Sequence, residues 1–168
     1  MLFGYRRAEI MKIKPTAADV IMEILSLALM IGVSLYIFIR WSSIPDKIPM
    51  HYNFAGEIDR WGEKGELLFL IAIAWGIWLL ITVTERFPKF WNTGVEVTEK
   101  NREHVYRTLK YMVKTMKLII VIIFTYLILH TLTVRNLPGW FLLAFVGLLI
   151  GDMAFWLIWL YRKNPRQG

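Results

Sequence analysis

The chain has 168 residues, of which 57% are hydrophobic and 20% charged, and its formal net charge is +7. The charged residues lie in clusters between long apolar runs, which is typical of a membrane protein and not of a soluble domain. The absence of cysteine excludes disulfides, zinc-thiolate sites, iron–sulfur clusters and thiol nucleophiles. Because the basic residues flank apolar segments and form no stripe with base-stacking aromatic residues, we expect no nucleic-acid partner.

Four apolar segments are close to the length of about 20 residues that a helix needs to cross the hydrocarbon core of a bilayer. Every backbone amide in that layer has to pair within its own segment, so we expect helices. The predicted fold is an all-α integral membrane protein, a four-helix transmembrane bundle in a single membrane domain over residues 1–168. The predicted spans are residues 18–39, 67–84, 118–134 and 139–161.

The distribution of lysine and arginine predicts the orientation of the chain, because these residues accumulate in cytoplasmic segments. Fifteen of the twenty cations lie in the N-terminal segment, in residues 85–117 or at the C-terminus. We therefore expect a multi-pass plasma-membrane protein with both termini in the cytoplasm. Residues 40–66 form the extracellular loop in this prediction, and residues 85–117 form the inner loop.

The predicted outer loop is polar and rich in turn-forming residues. Pro45 and Pro49 hold the chain extended, and Ala55-Gly56 marks a turn. This composition is more specific than a plain linker requires, so we expect an extracellular lid that recognises a ligand. The candidate ligand-binding residues are His51, Asn53, Gly56, Asp59, Trp61 and Lys64.

A metal site is the alternative interpretation of the same loop. His51, Glu57 and Asp59 provide an imidazole and two carboxylates, a reasonable ligand set for zinc or manganese. Their spacing matches no established metal motif. We therefore expect neither a metal nor another cofactor, and these three residues are weak metal candidates.

The predicted inner loop contains a basic helix next to the membrane. Thr98 is its predicted N-cap, and Glu99 lies in its first turn, where the helix dipole favours an anion. We expect the helix to lie along the cytoplasmic surface and then continue into the third span. Its cations favour contact with membrane lipids, and a cytoplasmic protein partner is the alternative. One apolar face is formed by Val105, Leu109, Met112 and Met116.

Asp152 lies near the middle of the fourth predicted span. A carboxylate there costs about 3 kcal/mol on insertion scales, so we expect it to face the bundle. Its expected hydrogen-bond partners are Thr125, Tyr126 and Ser26. Both a structural carboxyl and a proton-relay acid are compatible with this position.

Gly147 and Gly151 form a GxxxG pattern just before Asp152. Small residues at this spacing allow a neighbouring helix to approach closely. Ala72 and Gly76 in the second span are the expected matching face. A homo-oligomer formed through Gly147 and Gly151 is the alternative.

One string in the outer loop resembles a known family. It reads Ile48-Pro49-x-His51-x-Asn53-x-x-Gly56-x-x-Asp59-x-Trp61-Gly62-x-Lys64 and follows an apolar span and Pro45. It is similar to the domain of unknown function that opens SdpI-type immunity proteins and to stand-alone relatives of that domain. The inner loop is also similar, through Arg86-Phe87-Pro88, Asn92 and Val95-x-x-Thr98-x-x-Asn101.

For SdpI-type proteins, the resemblance implies protection against a secreted toxic peptide and membrane capture of a cognate repressor. It supplies no catalytic residues, and this chain has four spans without the further C-terminal helices of those proteins. We therefore expect a small prokaryotic membrane sensor or immunity-like protein that recognises a peptide or lipid-soluble ligand at the outer face. The alternatives are a metal-dependent membrane enzyme that uses the His51 loop and a transporter or accessory subunit that uses Asp152.

Overall fold

The structure is a computed structural model that describes residues 14–163. Arg6, Arg7, Lys12 and Arg166, which contributed to the predicted orientation, lie outside the described residues. The four long helices are α1 (Ala17–Arg40), α2 (Glu66–Glu85), α3 (Arg102–Thr131) and α4 (Phe141–Lys163). All four are long and apolar enough to cross a membrane, which confirms the prediction of four apolar helices.

The helix α3 is the central element of the bundle, and the principal helix–helix contacts are those of α3 with α1, α4 and α2. The expected packing of α2 on α4 through small residues is not among them and was wrong. A Cβ atom built on Gly76, Gly147 or Gly151 meets no atom within 4 Å, and Ala72 is exposed. The reason is that α4 packs along α3, so the two small-residue faces do not meet.

The outer loop contains a β-hairpin, so the description of the fold as all-α holds for the spans and not for this loop. Strand β1 (Lys47–Tyr52) pairs in antiparallel orientation with β2 (Ile58–Glu63), with an irregular register around His51. Ile48 is fully buried and packs with Val33, Leu67 and Ile128 of three different helices. This apolar contact seats the hairpin on one end of the bundle.

The basic helix of the inner loop is the first part of α3, which runs without a break for 30 residues. The prediction of a helix lying along the membrane surface was wrong in this respect. Its apolar face does not point into lipid, because Val105 and Leu109 are buried against Leu160 of α4. Because α3 is continuous, its basic first part extends the apolar span directly into the inner loop.

Asn101 immediately precedes the regular helix α3, but Thr98 caps this helix start as predicted, because its carbonyl oxygen accepts the N–H of Arg102 at 3.0 Å. Thr98 and Asn101 exchange hydrogen bonds. The Thr98 N–H donates to Asn101 Oδ1 at 2.7 Å, and the Asn101 N–H donates to Thr98 Oγ1 at 3.3 Å. This reciprocal pair satisfies backbone donors that helix starts leave unpaired.

A network of buried charges joins α1, α2 and α3 at the end of the bundle opposite the hairpin. Lys117 Nζ lies 2.7 Å from both Glu23 Oε2 and Glu85 Oε1. Lys114 Nζ lies 2.8 Å from Glu23 Oε2 and 2.9 Å from Glu85 Oε2. These lysines were expected on the polar faces of a surface helix, but their side chains are only 6% (Lys114) and 1% (Lys117) exposed. Buried charges are tolerated when they are paired in this way.

Candidate functional site

A cavity of about 500 Å³ lies between the hairpin and the adjoining ends of three helices. Its walls are mostly apolar, and the hairpin contributes all the polar side chains except that of Thr131. The helices and the turn between α3 and α4 contribute Leu70, Leu127, Thr131, Leu137, Pro138, Phe141, Leu142 and Phe145. The hairpin contributes Pro49, Met50, His51, Tyr52, Asn53, Phe54, Gly56 and Asp59.

The turn of the hairpin is built by the Asn53 side chain. Asn53 Oδ1 accepts hydrogen bonds from the N–H groups of Ala55 at 2.9 Å and Glu57 at 3.0 Å. Asn53 Nδ2 donates to Glu57 Oε2 at 2.9 Å. An Asn side chain that mimics a backbone turn explains this residue type at this position. Asn53 therefore shapes the cavity rim, and Glu57 is bound to it.

Gly56 joins the hairpin to the turn between α3 and α4. Its φ of 84° lies in the left-handed region that favours glycine, and its carbonyl oxygen accepts the N–H of Leu137 at 2.7 Å. Next to this contact, the Ile58 N–H donates to Asn136 Oδ1 at 2.9 Å. Sequence reasoning missed Asn136, because its role depends on a hairpin that lies 78 residues away in the chain.

His51 and Asp59 form the polar pair at the rim of the cavity. His51 Nδ1 lies 2.6 Å from Asp59 Oδ1, and the two side chains are 64% and 41% exposed. A carboxylate only accepts hydrogen bonds, so Nδ1 carries the proton that is shared with Asp59. In the neutral imidazole this leaves Nε2 as a hydrogen-bond acceptor.

Tyr52 brings a buried hydroxyl group to the same cavity, and sequence reasoning did not identify it. The hydroxyl has no hydrogen-bond partner of good geometry. Burial raises the pKa of the Tyr52 phenol above its ordinary value, and the nearby Thr131 side chain opposes this change. The neutral phenol is therefore favoured, and it retains an O–H that can donate to a ligand.

Trp61 and Lys64, also predicted as ligand-binding residues, are not among the residues that line the cavity. Trp61 lies in β2 and is half exposed. Lys64 Nζ lies 2.8 Å from Asp46 Oδ1 and 6.0 Å from the centroid of the Trp41 ring. The hydrogen bond and the charge of Lys64 hold the pKa of Asp46 below its ordinary value. Lys64 therefore braces the base of the hairpin.

The three metal candidates are not brought together as a group. His51 contacts Asp59, whereas Glu57 is hydrogen-bonded to Asn53. Within residues 14–163, no cluster of three or more His, Asp or Glu side chains is arranged to hold a metal ion.

Asp152 does not form the hydrogen bonds that were expected of it. Within residues 14–163, its Oδ2 atom is buried without a hydrogen-bond partner, and Thr125 Oγ1 is also unpartnered. Thr125 lines a separate cavity between α1 and α3, and Tyr126 is stacked on Phe141 with ring centroids 5.0 Å apart. Ser26 Oγ instead donates to the Glu23 carbonyl and accepts from Trp78 Nε1. The expected partners were wrong, because Ser26 is bonded to α1 and α2 and the Tyr126 ring is stacked on Phe141.

The segment that forms the cavity rim is similar to segments of known proteins. Residues 28–75 match the family described as Domain of unknown function (DUF1648), and this segment includes the hairpin. An uncharacterized protein of Archaeoglobus fulgidus is 39% identical in an alignment of 66 residues that covers 34% of this chain and 36% of the archaeal protein. The chain thus covers little more than a third of that relative's length. No solved structure matches the chain significantly.

Proposed function

We propose that this protein is a small membrane receptor, a sensor or immunity-like protein, that binds a peptide or lipid-soluble ligand in the cavity beneath the hairpin. One observation carries this proposal. The cavity of about 500 Å³ has apolar walls and a few polar groups, namely the His51–Asp59 pair and the Tyr52 hydroxyl. Small-molecule sites have this size and this composition.

The proposal includes a relationship to the SdpI-type immunity proteins. The DUF1648 match supports it, since residues 28–75 contain the hairpin and its turn. The wall of the cavity that α3 and α4 provide lies outside the matched segment. In this proposal the matched segment contributes the polar groups, and the remaining helices complete the apolar wall.

We propose further that the hairpin is an extracellular lid and that the basic start of α3 faces the cytoplasm. The support is the concentration of cations at the opposite ends of the helices. A cysteine placed at Asn53 should react with a membrane-impermeant reagent in intact cells, and one placed at Asn92 should react only after lysis. The reverse result would mean that the cavity opens towards the cytoplasm.

Ligand binding can be tested with dodecanol, a neutral chain, by native mass spectrometry of the protein in micelles of a nonionic detergent. We expect one retained molecule per protein. Leu142→Trp fills the cavity and should abolish retention. Leu143→Trp is the matched control, because Leu143 is 77% exposed and does not line the cavity. Equal retention by the two variants would contradict binding in this cavity.

A second function is favoured by the His51–Asp59 geometry. An imidazole whose Nδ1 is held by a carboxylate is a suitable general base. A membrane hydrolase would use His51 Nε2 to activate water at an ester located in the cavity. Turnover of a dodecyl ester by the native protein, and its loss in His51→Gln, would favour this function over simple binding.

A further inference from the structure

Few of the residues that line the cavity can carry a charge. Among the described residues that line it, Asp59 is the one carboxylate, and there is no lysine or arginine. Arg60 lies next to Asp59 in the chain, but its guanidinium is paired with Glu66 at 2.8 Å. With His51 neutral, the rim carries the negative charge of Asp59, and no lysine or arginine of the described lining neutralises it.

The His51–Asp59 pair at the rim offers hydrogen-bond acceptors, in addition to the Tyr52 hydroxyl. The proton of His51 Nδ1 is shared with Asp59 Oδ1, so the neutral imidazole offers Nε2 as an acceptor. The structure gives Asp59 Oδ2 no hydrogen bond within the described part of the chain, and this oxygen is a second acceptor. These acceptors suit a ligand group that donates hydrogen bonds.

Aromatic side chains complete this environment. Tyr52, Phe54, Phe141 and Phe145 all line the cavity. The negative face of an aromatic ring attracts a cation located within about 6 Å of its centroid. A cation that enters this cavity from water can therefore interact with a carboxylate, an imidazole acceptor and aromatic rings. A carboxylate or phosphate would find no opposing charge in the lining.

We infer that the ligand of this cavity is an amphiphile in which a primary ammonium group is joined to an apolar chain. This inference rests on the proposed function and specifies the ligand class of the same site. The ammonium donates to His51 Nε2 and is attracted by the negative charge of Asp59 on the other side of the imidazole ring, and the apolar chain lies between the hairpin and α4. Two sources share this chemistry, a long-chain amine and the free N-terminus of an apolar peptide.

The test compares three ligands with the same chain, dodecylamine, dodecanol and dodecanoate, by native mass spectrometry near pH 7 in a nonionic detergent. We expect dodecylamine to bind about tenfold more tightly than dodecanol, as a charge-assisted hydrogen bond implies. Dodecanoate should bind most weakly. Asp59→Asn should remove the preference for the amine and leave the binding of dodecanol nearly unchanged.

Glu63→Gln is the matched control, because Glu63 is an exposed carboxylate of β2 that does not line the cavity. It should retain the preference for dodecylamine, and an equal loss in both variants would overturn the inference. If Asp59→Asn does not fold, His51→Phe removes the other acceptor and should also reduce the preference. An unchanged preference in a folded His51→Phe protein would overturn the role of Nε2.

Two further outcomes separate this inference from the proposed function. Equal binding of the three ligands, abolished by Leu142→Trp, would refute the ammonium inference and leave the proposed binding site intact. Retention of none of the three ligands would refute both. A leucine-rich peptide with a free N-terminus, compared with its acetylated form, distinguishes the sources. Preference for the free form identifies a peptide end, whereas binding of dodecylamine alone identifies a long-chain amine.

Discussion

The backbone N–H of Leu137 donates to the carbonyl oxygen of Gly56 at 2.7 Å, which joins the tip of the hairpin to the turn between α3 and α4. The approach is close, because a Cβ atom built on Gly56 would lie 2.5 Å from the carbonyl oxygen of Leu137. Both residues also line the cavity. The shape of the proposed binding site thus depends on a contact that only glycine permits at this position.

Gly56→Ala should detach the hairpin tip from the α3–α4 turn. The left-handed conformation alone costs an alanine roughly 1–2 kcal/mol, and the clash with Leu137 adds to this cost. Hydrogen–deuterium exchange of the Leu137 and Ile58 amides should become faster. Gly65→Ala is the matched control, since its Cβ meets no atom within 4 Å and its φ is −60°. Unchanged exchange in Gly56→Ala would show that this contact does not hold the hairpin.

Lys117→Met should strongly destabilise the bundle. It leaves Glu23 and Glu85 with Lys114 as their remaining partner in the buried network. Removing one member of a buried ion pair costs about 3–5 kcal/mol, which thermal unfolding in detergent would detect as a lower midpoint. Lys100→Met, at an exposed position of the inner loop, should leave the midpoint unchanged.

The same network provides a rescue experiment. Adding Glu85→Gln to Lys117→Met removes one of the two carboxylates that then share Lys114, so part of the stability should return. If the double variant is as unstable as the sum of both single changes, the two side chains do not interact and the network is not a structural brace.

Asp152→Leu should be tolerated and should raise the unfolding midpoint, because Asp152 Oδ2 is buried without a hydrogen-bond partner. A buried group of this kind costs about 1–3 kcal/mol, and an apolar residue of similar size removes that cost. Met153→Leu, on the exposed side of α4, is the control. A large loss of stability in Asp152→Leu would mean that the carboxyl has a structural partner after all.

The acid titration of Asp46 tests the base of the hairpin. Because its pKa is lowered by Lys64, the contact stabilises the hairpin above the ordinary value of 3.8 and is lost as the pH falls through the lowered pKa. The carboxyl ¹³C chemical shift of Asp46 should therefore titrate with a midpoint below 3.8. Lys64→Met should return the midpoint towards 3.8, and Lys47→Met should not. A midpoint insensitive to Lys64 would contradict the ion pair.

The helices could be predicted from the sequence because long apolar runs are local features. The buried charge network could not, since Glu23, Glu85 and Lys117 come from three separate segments, and each appeared to be an ordinary charge near a helix end. The partners of Asp152 were wrong for a related reason. The sequence gives the position of each residue along its span. It does not give the neighbour that Thr125 faces, because that depends on how the other helices pack on α3.

The rim of the cavity was partly visible in the sequence. His51, Asn53, Gly56 and Asp59 stand together in one polar segment, and all four line the cavity. The hairpin was not predicted, because its strands lack the strict alternation of apolar and polar residues that identifies a β-strand. Two prolines and an irregular register around His51 account for this. Asn136 and Tyr52 were missed, since one acts across the fold and the other resembles an ordinary apolar strand residue.

The central claim is that a ligand occupies the cavity between the hairpin and α4. Photolabelling of the protein in lipid nanodiscs with dodecylamine that carries a diazirine at its chain end tests this claim most directly. We expect labelled peptides from residues 49–59 and 137–145, lost in Leu142→Trp and retained in Leu143→Trp. Labelling confined to lipid-exposed positions such as Phe69 and Leu143, and equal in the two variants, would contradict the account.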